Sequence, residues 1–489
     1  MHTKELTLAI SAILGSLVLA GCDLEVPDLN NPGLEELENN PTASGINTAA
    51  TGLLIGQRGG KAATTGLVNQ LGILGRESFD FDINDGRFVL EILEANLVKN
   101  SAFGGVFWAG NYANIRLGNI ILHGVDKVAE FSDEEKAGLK GFAHTIQATD
   151  LLTVILTHES TGAVIDTDHA LTDPLAPIVP RDQVYTEIAR LLDQGRDELA
   201  GAGKAFTFPL SAGYKGFDTP ATFTKFNRAV KARVAVYQAS LAALKGNTTT
   251  QVAKYNEALT ELGASFLDDV SATINFQLGV SYVYSTNKGD ATNGLINTFI
   301  FAHPALQTDA QKQPDGTTLD ARYVSKTDLI LDKDKNPKPA TSTVDGKLTT
   351  PIKFKIYPTN VTPIPFIRNE DLILLKAEAL FFTGDVTNAI KELNIVRTNS
   401  GKLAPLAGTP SETTFIDYLL YERRYSLMFE GGHRWIDLRR FGRFGDLPLD
   451  SDKEVRNFRY PIPQGECDAR PGEPACMITS KDVIPPAMQ

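Results

Sequence analysis

Glu422-Arg423-Arg424-Tyr425-Ser426-Leu427-Met428-Phe429-Glu430-Gly431-Gly432-His433-Arg434-Trp435-Ile436-Asp437-Leu438-Arg439-Arg440, followed by Phe441-Gly442, decides the reading of this chain. Phe415, Ile416, Leu419, Leu420 and Leu427 recur at helical spacing, so the spacing predicts an amphipathic helix that Gly431-Gly432 ends. A second helical turn follows, with Trp435 and Leu438 on its apolar side. Arg423, Arg424, Arg434, Arg439 and Arg440 stand among Glu422, Glu430 and Asp437, close enough for bidentate ion pairs that fix how two short helices cross. A catalytic reading would make Glu422 or Glu430 a general acid, Asp437 its partner and His433 a base. Each carboxylate has an arginine within a few positions, which holds it ionised instead of raising its pKa. The stretch therefore reads as a packing and ion-pair signature, and no catalytic residue is assigned.

Outward from it, helical segments come in pairs. Leu372, Leu375, Ala379 and Phe382 line one helix over Glu370 to Phe382, Thr383-Gly384-Asp385 turns the chain, and Ala389, Ile390, Leu393 and Val396 line the next. The small residues Ala377, Ala379 and Ala389 let such helices approach closely, as in a tetratricopeptide unit. Further pairs are expected from Trp108 to Val128 with Asp133 to Leu156, and from Gln183 to Leu199 with Phe223 to Leu244. Val252 to Leu262 is a single helix. The fold class is mostly α, a tetratricopeptide-like helical-hairpin scaffold with long loop insertions and little β. No Gly/Ser or Pro linker divides the chain, so residues 46–489 are read as one body, with a loop-rich insertion at about 270–362.

Several of these segments carry a resemblance. Trp108-Ala109-Gly110-Asn111-Tyr112-Ala113-Asn114-Ile115-Arg116-Leu117-Gly118-Asn119 looks like a W-x3-Y-x2-I-x3-N helix, and Pro363 to Ala379 like an "lRyAE-x-LL-x-AEA" helix. Leu393-Asn394-Ile395-Val396-Arg397 matches "LN-x-VR", and Arg459 to Glu466 a "PIP-x2-E" strand end. With the Glu422–Arg440 stretch they resemble the SusD/RagB family, from about residue 20 to 466; Asn369 departs from it by standing where Tyr is usual. The resemblance implies a surface-exposed lipoprotein that binds a nutrient, usually an oligosaccharide. It also implies a partner, a SusC-like TonB-dependent outer-membrane transporter.

The first residues agree with that expectation. Leu6 to Ala20 is an apolar run of signal-peptide length, and Leu19-Ala20-Gly21-Cys22 has the lipobox pattern, so residues 1–21 are expected to be removed and Cys22 acylated. Residues 22–45, acidic and turn-rich at their start, read as a tether. The membrane is then touched by the lipid anchor alone, and the outer membrane's cell-surface side is the expected location. Of three cysteines, Cys22 aside, Cys467 and Cys476 lie nine positions apart in a segment rich in Pro and Gly. That suits a local disulfide stapling the tail at 460–489.

The sequence is 42% hydrophobic and 22% charged with a formal net charge of -12, which argues against nucleic acid as a partner. Phosphate-cradling glycine loops, the G-x-S-x-G elbow, the H-E-x-x-H helix and CxxC pairs are absent, and no metal ligand set or cofactor is assigned. Ligand contacts are expected in loops. Phe79-Asp80-Phe81-Asp82-Ile83-Asn84-Asp85-Gly86-Arg87 sets rings beside carboxylates, and Tyr282-Val283-Tyr284-Ser285-Thr286-Asn287 offers two tyrosines on one side of an extended segment. Candidate ligand residues are Phe79, Asp80, Phe81, Asp82, Arg87, Tyr282, Tyr284 and Asn287. Asp80-x-Asp82-x-Asn84 and Asp332-x-Asp334-x-Asn336 are calcium-loop fragments with the glycine late or replaced by Pro337, and read as solvated acidic turns. Two rival functions share these features: a periplasm-facing tetratricopeptide-like scaffold for protein assembly, and a lipid-anchored glycoside hydrolase.

Overall fold

The computed structural model describes residues 34–170 and 172–481. The signal peptide and the acylation site expected at Cys22 lie outside the described residues. A short helix α1 (Leu34–Asn39) leads into α2 (Ala43–Arg58) and α3 (Leu67–Leu74). Leu37 is buried and α1 packs on the helix Gly105–Val125, so the stretch expected as tether to residue 45 is already folded from residue 34. An apolar residue with a pocket to fill overrides the acidic composition around it.

The helical body continues with α4 (Gly105–Val125), α5 (Asp133–His158), α6 (Arg181–Ala200), α7 (Pro220–Leu244) and α8 (Thr248–Gly263). Their starts are written locally. Ser132 and Glu135 form a reciprocal capping box on α5, Thr219 and Thr222 do so on α7 with Pro220 in its first turn, and Asn247 accepts from Thr250 N on α8. The segment Gln183 to Leu199, paired by sequence with Phe223 to Leu244, packs on both sides: α6 lies against α5 and α7, while α7 pairs extensively with α8. The connection explains this. Only Lys245 to Asn247 separate α7 from α8, so those two must run antiparallel, whereas residues 201–219 leave α6 free to choose. The hairpin read around Gly384 forms as α9 (Asn369–Phe382) and α10 (Val386–Asn399), with Asp385 capping the second helix.

The signature itself is α11 (Glu412–Ser426) and α12 (His433–Arg440). The first helix stops at Ser426, before the glycines expected to end it. Phe429 takes a left-handed φ of 56° and Gly432, at φ 76°, starts the second helix. A Cβ on Gly432 would sit 2.4 Å from Leu71 Cβ, so the glycine serves close approach as well as backbone freedom.

Strands are few and short. β1 (Ser78–Asp80), β3 (Ile300–Ala302), β4 (Thr327–Leu329) and β5 (Ile352–Phe354) form an antiparallel sheet in the order β1-β3-β5-β4, with Phe79 opposite Phe301 and Phe301 opposite Lys353. β2 (Gly279–Tyr282) pairs with β6 (Ile364–Arg368), with a bulge between Pro365 and Ile367. The loop-rich insertion thus supplies most of the strands. Its own apolar cluster, with Leu295, Ile300, Leu306, Tyr323, Ile352 and Tyr357, is completed by Tyr425, Met428 and Phe429 of the signature. The Phe429 ring stacks on Phe354 at 4.3 Å.

Cys467 and Cys476 are joined, with Cα atoms 5.6 Å apart. No helix among the described residues is long and apolar enough to cross a membrane.

Candidate ligand-binding site

The signature residues interlock as alternating buried charges. Asp371 accepts from Arg233 at 2.6 Å and from Arg423 at 2.8 Å; Arg423 also reaches Asp437 at 2.7 Å; Asp437 accepts from Arg440 at 2.8 Å; and Arg440 is bidentate on Glu378, with Nη2 at 2.7 Å. A second branch holds Glu422 between Arg322 at 2.6 Å and Arg397 at 2.8 Å, and a third holds Glu430 against Arg368 at 3.0 Å. Arg424 reaches Asp309 at 2.7 Å, and Arg439 lies 3.5 Å over the Trp435 ring while donating to Phe458 O. The arginines hold Asp437 and Asp371 below the usual carboxylate range against the opposing cost of burial. Burial lowers His433 to about 4, so it is neutral and its Nδ1 has no partner. Arg434 differs from its neighbours: burial and the nearby Arg424 push it down to about 9, and its Nε is unpartnered. This arrangement can orient the helices against one another and against the insertion.

The two candidate loops differ in what they present. Phe79 and Phe81 are buried and stack on each other at 5.1 Å, with His303 4.6 Å from the Phe79 ring, so these rings belong to the core of the sheet and not to its surface. Asp80 is also buried, accepting from Asn69 Nδ2 at 2.7 Å and from Asp82 N at 3.0 Å, and burial raises it to about 6. What the loop exposes is polar: Asp82 accepts from Asn84 N at 2.8 Å, and Arg87 grips Asp85 with two bonds of 2.7 and 2.6 Å. Alternation hid this, because rings two apart on a strand share a face whichever way that face points. Both calcium-like fragments close on their own backbone, Asp332 accepting from Asp334 N and Asn336 N. No group of three or more His, Cys, Asp or Glu among the described residues is placed to hold a metal ion.

The second loop borders a cleft of about 490 Å³. One wall is the α2 face with Thr51, Leu54, Ile55 and Arg58, a second is Pro209 to Ser211 with Tyr214, and the third is Ser281 to Val283 with Lys288, Gly289 and Asp290. Tyr282 is half-buried and meets Phe366 edge-on at 5.6 Å. Tyr284 is buried 5.8 Å from the Arg58 guanidinium, its hydroxyl without a partner, and Asn287 is exposed on the loop tip. Arg58 shapes the loop by pairing with Asp290 and donating to Val283 O, and that contact holds the Asp290 carboxyl down at about 2. Tyr282 also borders a small inner cavity of about 60 Å³ that Lys61, Thr153, Arg233 and His433 line. Sequence reasoning missed the α2 wall. Its signal was the apolar Ile55, 57% exposed beside a helix-terminal arginine. The cleft combines an aromatic ring and aliphatic edges with hydroxyls and one ion pair, the lining of a site for a small polar ligand with an apolar face.

The SusD family model matches residues 344–473. A SusD-like protein of Formosa agariphila is 36% identical over 108 residues, which is 20% of this chain and only about a fifth, 21%, of the relative's length. Solved structures cover far more at lower identity. A SusD superfamily protein from Bacteroides vulgatus superposes with a TM-score of 0.64 over 90% of this chain and 98% of its own at 14% identity. A laminarin-binding SusD-like protein gives 0.58 over 88% and 98% at 16%. Residues 344–473 thus match the SusD family model, and the helical scaffold as a whole has the fold of these SusD-type structures.

Proposed function

We propose that this protein is a lipid-anchored receptor on the outer membrane that captures an oligosaccharide and hands it to a SusC-like TonB-dependent transporter. The observation that carries the reading is the cleft beside Tyr282, where a ring, aliphatic edges and hydroxyls meet on a rigid scaffold. The laminarin-binding relative supports a glycan as the ligand class, since it shares the fold over nearly its whole length. Capture and release need different affinities in two states and no reactive group. Affinity electrophoresis of the protein against a panel of polysaccharides tests binding, with Tyr282→Ala as control. Retardation by one glycan that the variant loses supports the reading; no retardation by any glycan, or turnover of the retarding one, would overturn it. Delivery is tested by mild-detergent purification from the native outer membrane, where a large β-barrel should copurify in near-equal amount.

A further inference from the structure

A second hollow shares no lining residue with the Tyr282 cleft, and the helix that carries the W-x3-Y-x2-I-x3-N pattern builds it. Tyr112, Asn119 and His123 stand seven and four positions apart, so they share one face of α4. Each pins a point of the segment that follows α5. The Tyr112 hydroxyl donates to Val164 O at 2.8 Å and accepts from Val164 N at 2.7 Å, Asn119 Nδ2 donates to Thr167 O at 2.8 Å, and His123 Nε2 lies 2.9 Å from Asp168. The strapped segment closes a cavity of about 270 Å³ against α4, α5 and α6, with Ile115, Leu122, Leu151, Ile165 and Leu191 as its apolar lining. Two buried polar side chains line it as well. Gln147, 3% exposed, donates to Ile115 O at 3.0 Å and to Asn119 Oδ1 at 2.5 Å, which leaves its Oε1 unbonded. His144, 8% exposed, gives Nδ1 to Glu198 at 2.7 Å, which leaves its Nε2 unbonded.

The charges around this cavity do not balance. Arg190 is bidentate on Glu187, with bonds of 2.7 and 2.6 Å, and Asp168 is met by His123. Asp166, exposed at the rim, has no hydrogen bond or ion pair among the described residues. Past Asp168 the cavity adjoins a wider cleft, where Arg116 faces Glu38 at 3.5 Å and Lys127 donates to Glu38 O at 2.6 Å. The groups left without partners are thus an amide oxygen, an imidazole nitrogen and a carboxylate. With Nδ1–H given to Glu198, the neutral ring can only accept through Nε2. We propose that the cavity is a second binding site, for a protonated primary amine carried on a small aliphatic or sugar body. An ammonium brings three donors and one positive charge to three acceptors and one unpaired carboxylate. The apolar lining takes up the carbon skeleton, and the volume admits one ring or a short chain and no oligomer.

Calorimetric titration of the full chain with glucosamine and with butylamine, at low salt and below the pKa of each amine, tests the site. At least one of the two should bind, and the tighter of them names the body that carries the amine. N-acetylglucosamine, the same ring with its charge removed, should bind at least about tenfold more weakly than glucosamine if the sugar is the body. Asp166→Asn, at an exposed position with no partner to lose, is expected to fold and to weaken the amine about tenfold, the worth of one charge-assisted bond. Tyr282→Ala should leave amine binding unchanged, so this site and the glycan cleft fail or stand separately. With the seven histidines labelled selectively, the His144 ring signals should shift on addition of the amine while those of the buried His158 and His433 stay in place. Binding of neither amine, equal binding of the acetylated sugar and glucosamine, an affinity that Asp166→Asn keeps, or a His144 signal that does not move overturns the proposal.

Discussion

Asp371 sits between the guanidinium groups of Arg233 and Arg423 with no water-facing side, and its removal leaves both cations buried and uncompensated. Asp371→Asn is expected to cost about 3–5 kcal/mol, read as a lowered denaturation midpoint in calorimetry, because breaking one partner of a buried pair costs far more than the pair itself contributes. Glu370 extends the argument to pH. Arg368 and Lys326 hold it down at about 2 against the burial that opposes them. Its contribution is present above the free value near 4.5 and is lost as pH falls from there towards 2, so stability measured by urea titration should decline across that acid window. At the cleft, Tyr282→Ala should weaken glycan affinity about tenfold while far-ultraviolet dichroism stays unchanged, since the half-buried ring lines the cleft and its loss leaves the backbone pairing of β2 with β6 in place. Residue identity was easiest to read where charge and shape both constrain it. The arginines and carboxylates of the signature were expected to form ion pairs as a set, and Arg423 meets Asp437 at 2.7 Å. Phe79 and Phe81 misled because a β pattern names a face without naming its neighbour, and that neighbour, Phe301, lies more than two hundred positions away.

Among elements, the turn from α11 to α12 is the most constrained. Gly432→Ala must place a methyl group against Leu71 in a left-handed backbone, and is expected to cost about 1–3 kcal/mol in equilibrium unfolding. Ala at Gly431, where a Cβ would meet nothing within 4 Å, is the matched control and should cost far less. Helices were legible from period and caps. The boundaries at Ser132 and Asp385 follow from one side chain each. The end of α11 was not, because the chain leaves the helix at Ser426 to drive Phe429 into the insertion's core, a tertiary demand that outranks the glycine signal five positions on. The α2 wall of the cleft was equally hidden, since an amphipathic helix does not announce which of its edges stays wet.

For the whole molecule, the architecture was readable from repeated helical hairpins, while the partnering of the insertion was not, because its strands are two to four residues long and carry little period of their own. The tail offers a separable test. Its disulfide closes a short loop, worth about 2–3 kcal/mol of chain entropy. Reduction should expose residues 460–481 to protease while the main thermal transition moves little. The plug formed by Phe429 also orders time. A ribosome or export channel releases this chain from its N-terminal end, so β3, β4 and β5 emerge before the aromatic ring that seals them. Until the last eighth of the polypeptide appears, the helical hairpins can already stand while the insertion waits with its sticky strands uncovered. Partial products and C-terminal truncations are thus the forms that chaperones must shield, and a stop codon before Phe429 should be felt first in the insertion, far along the chain from the missing residues.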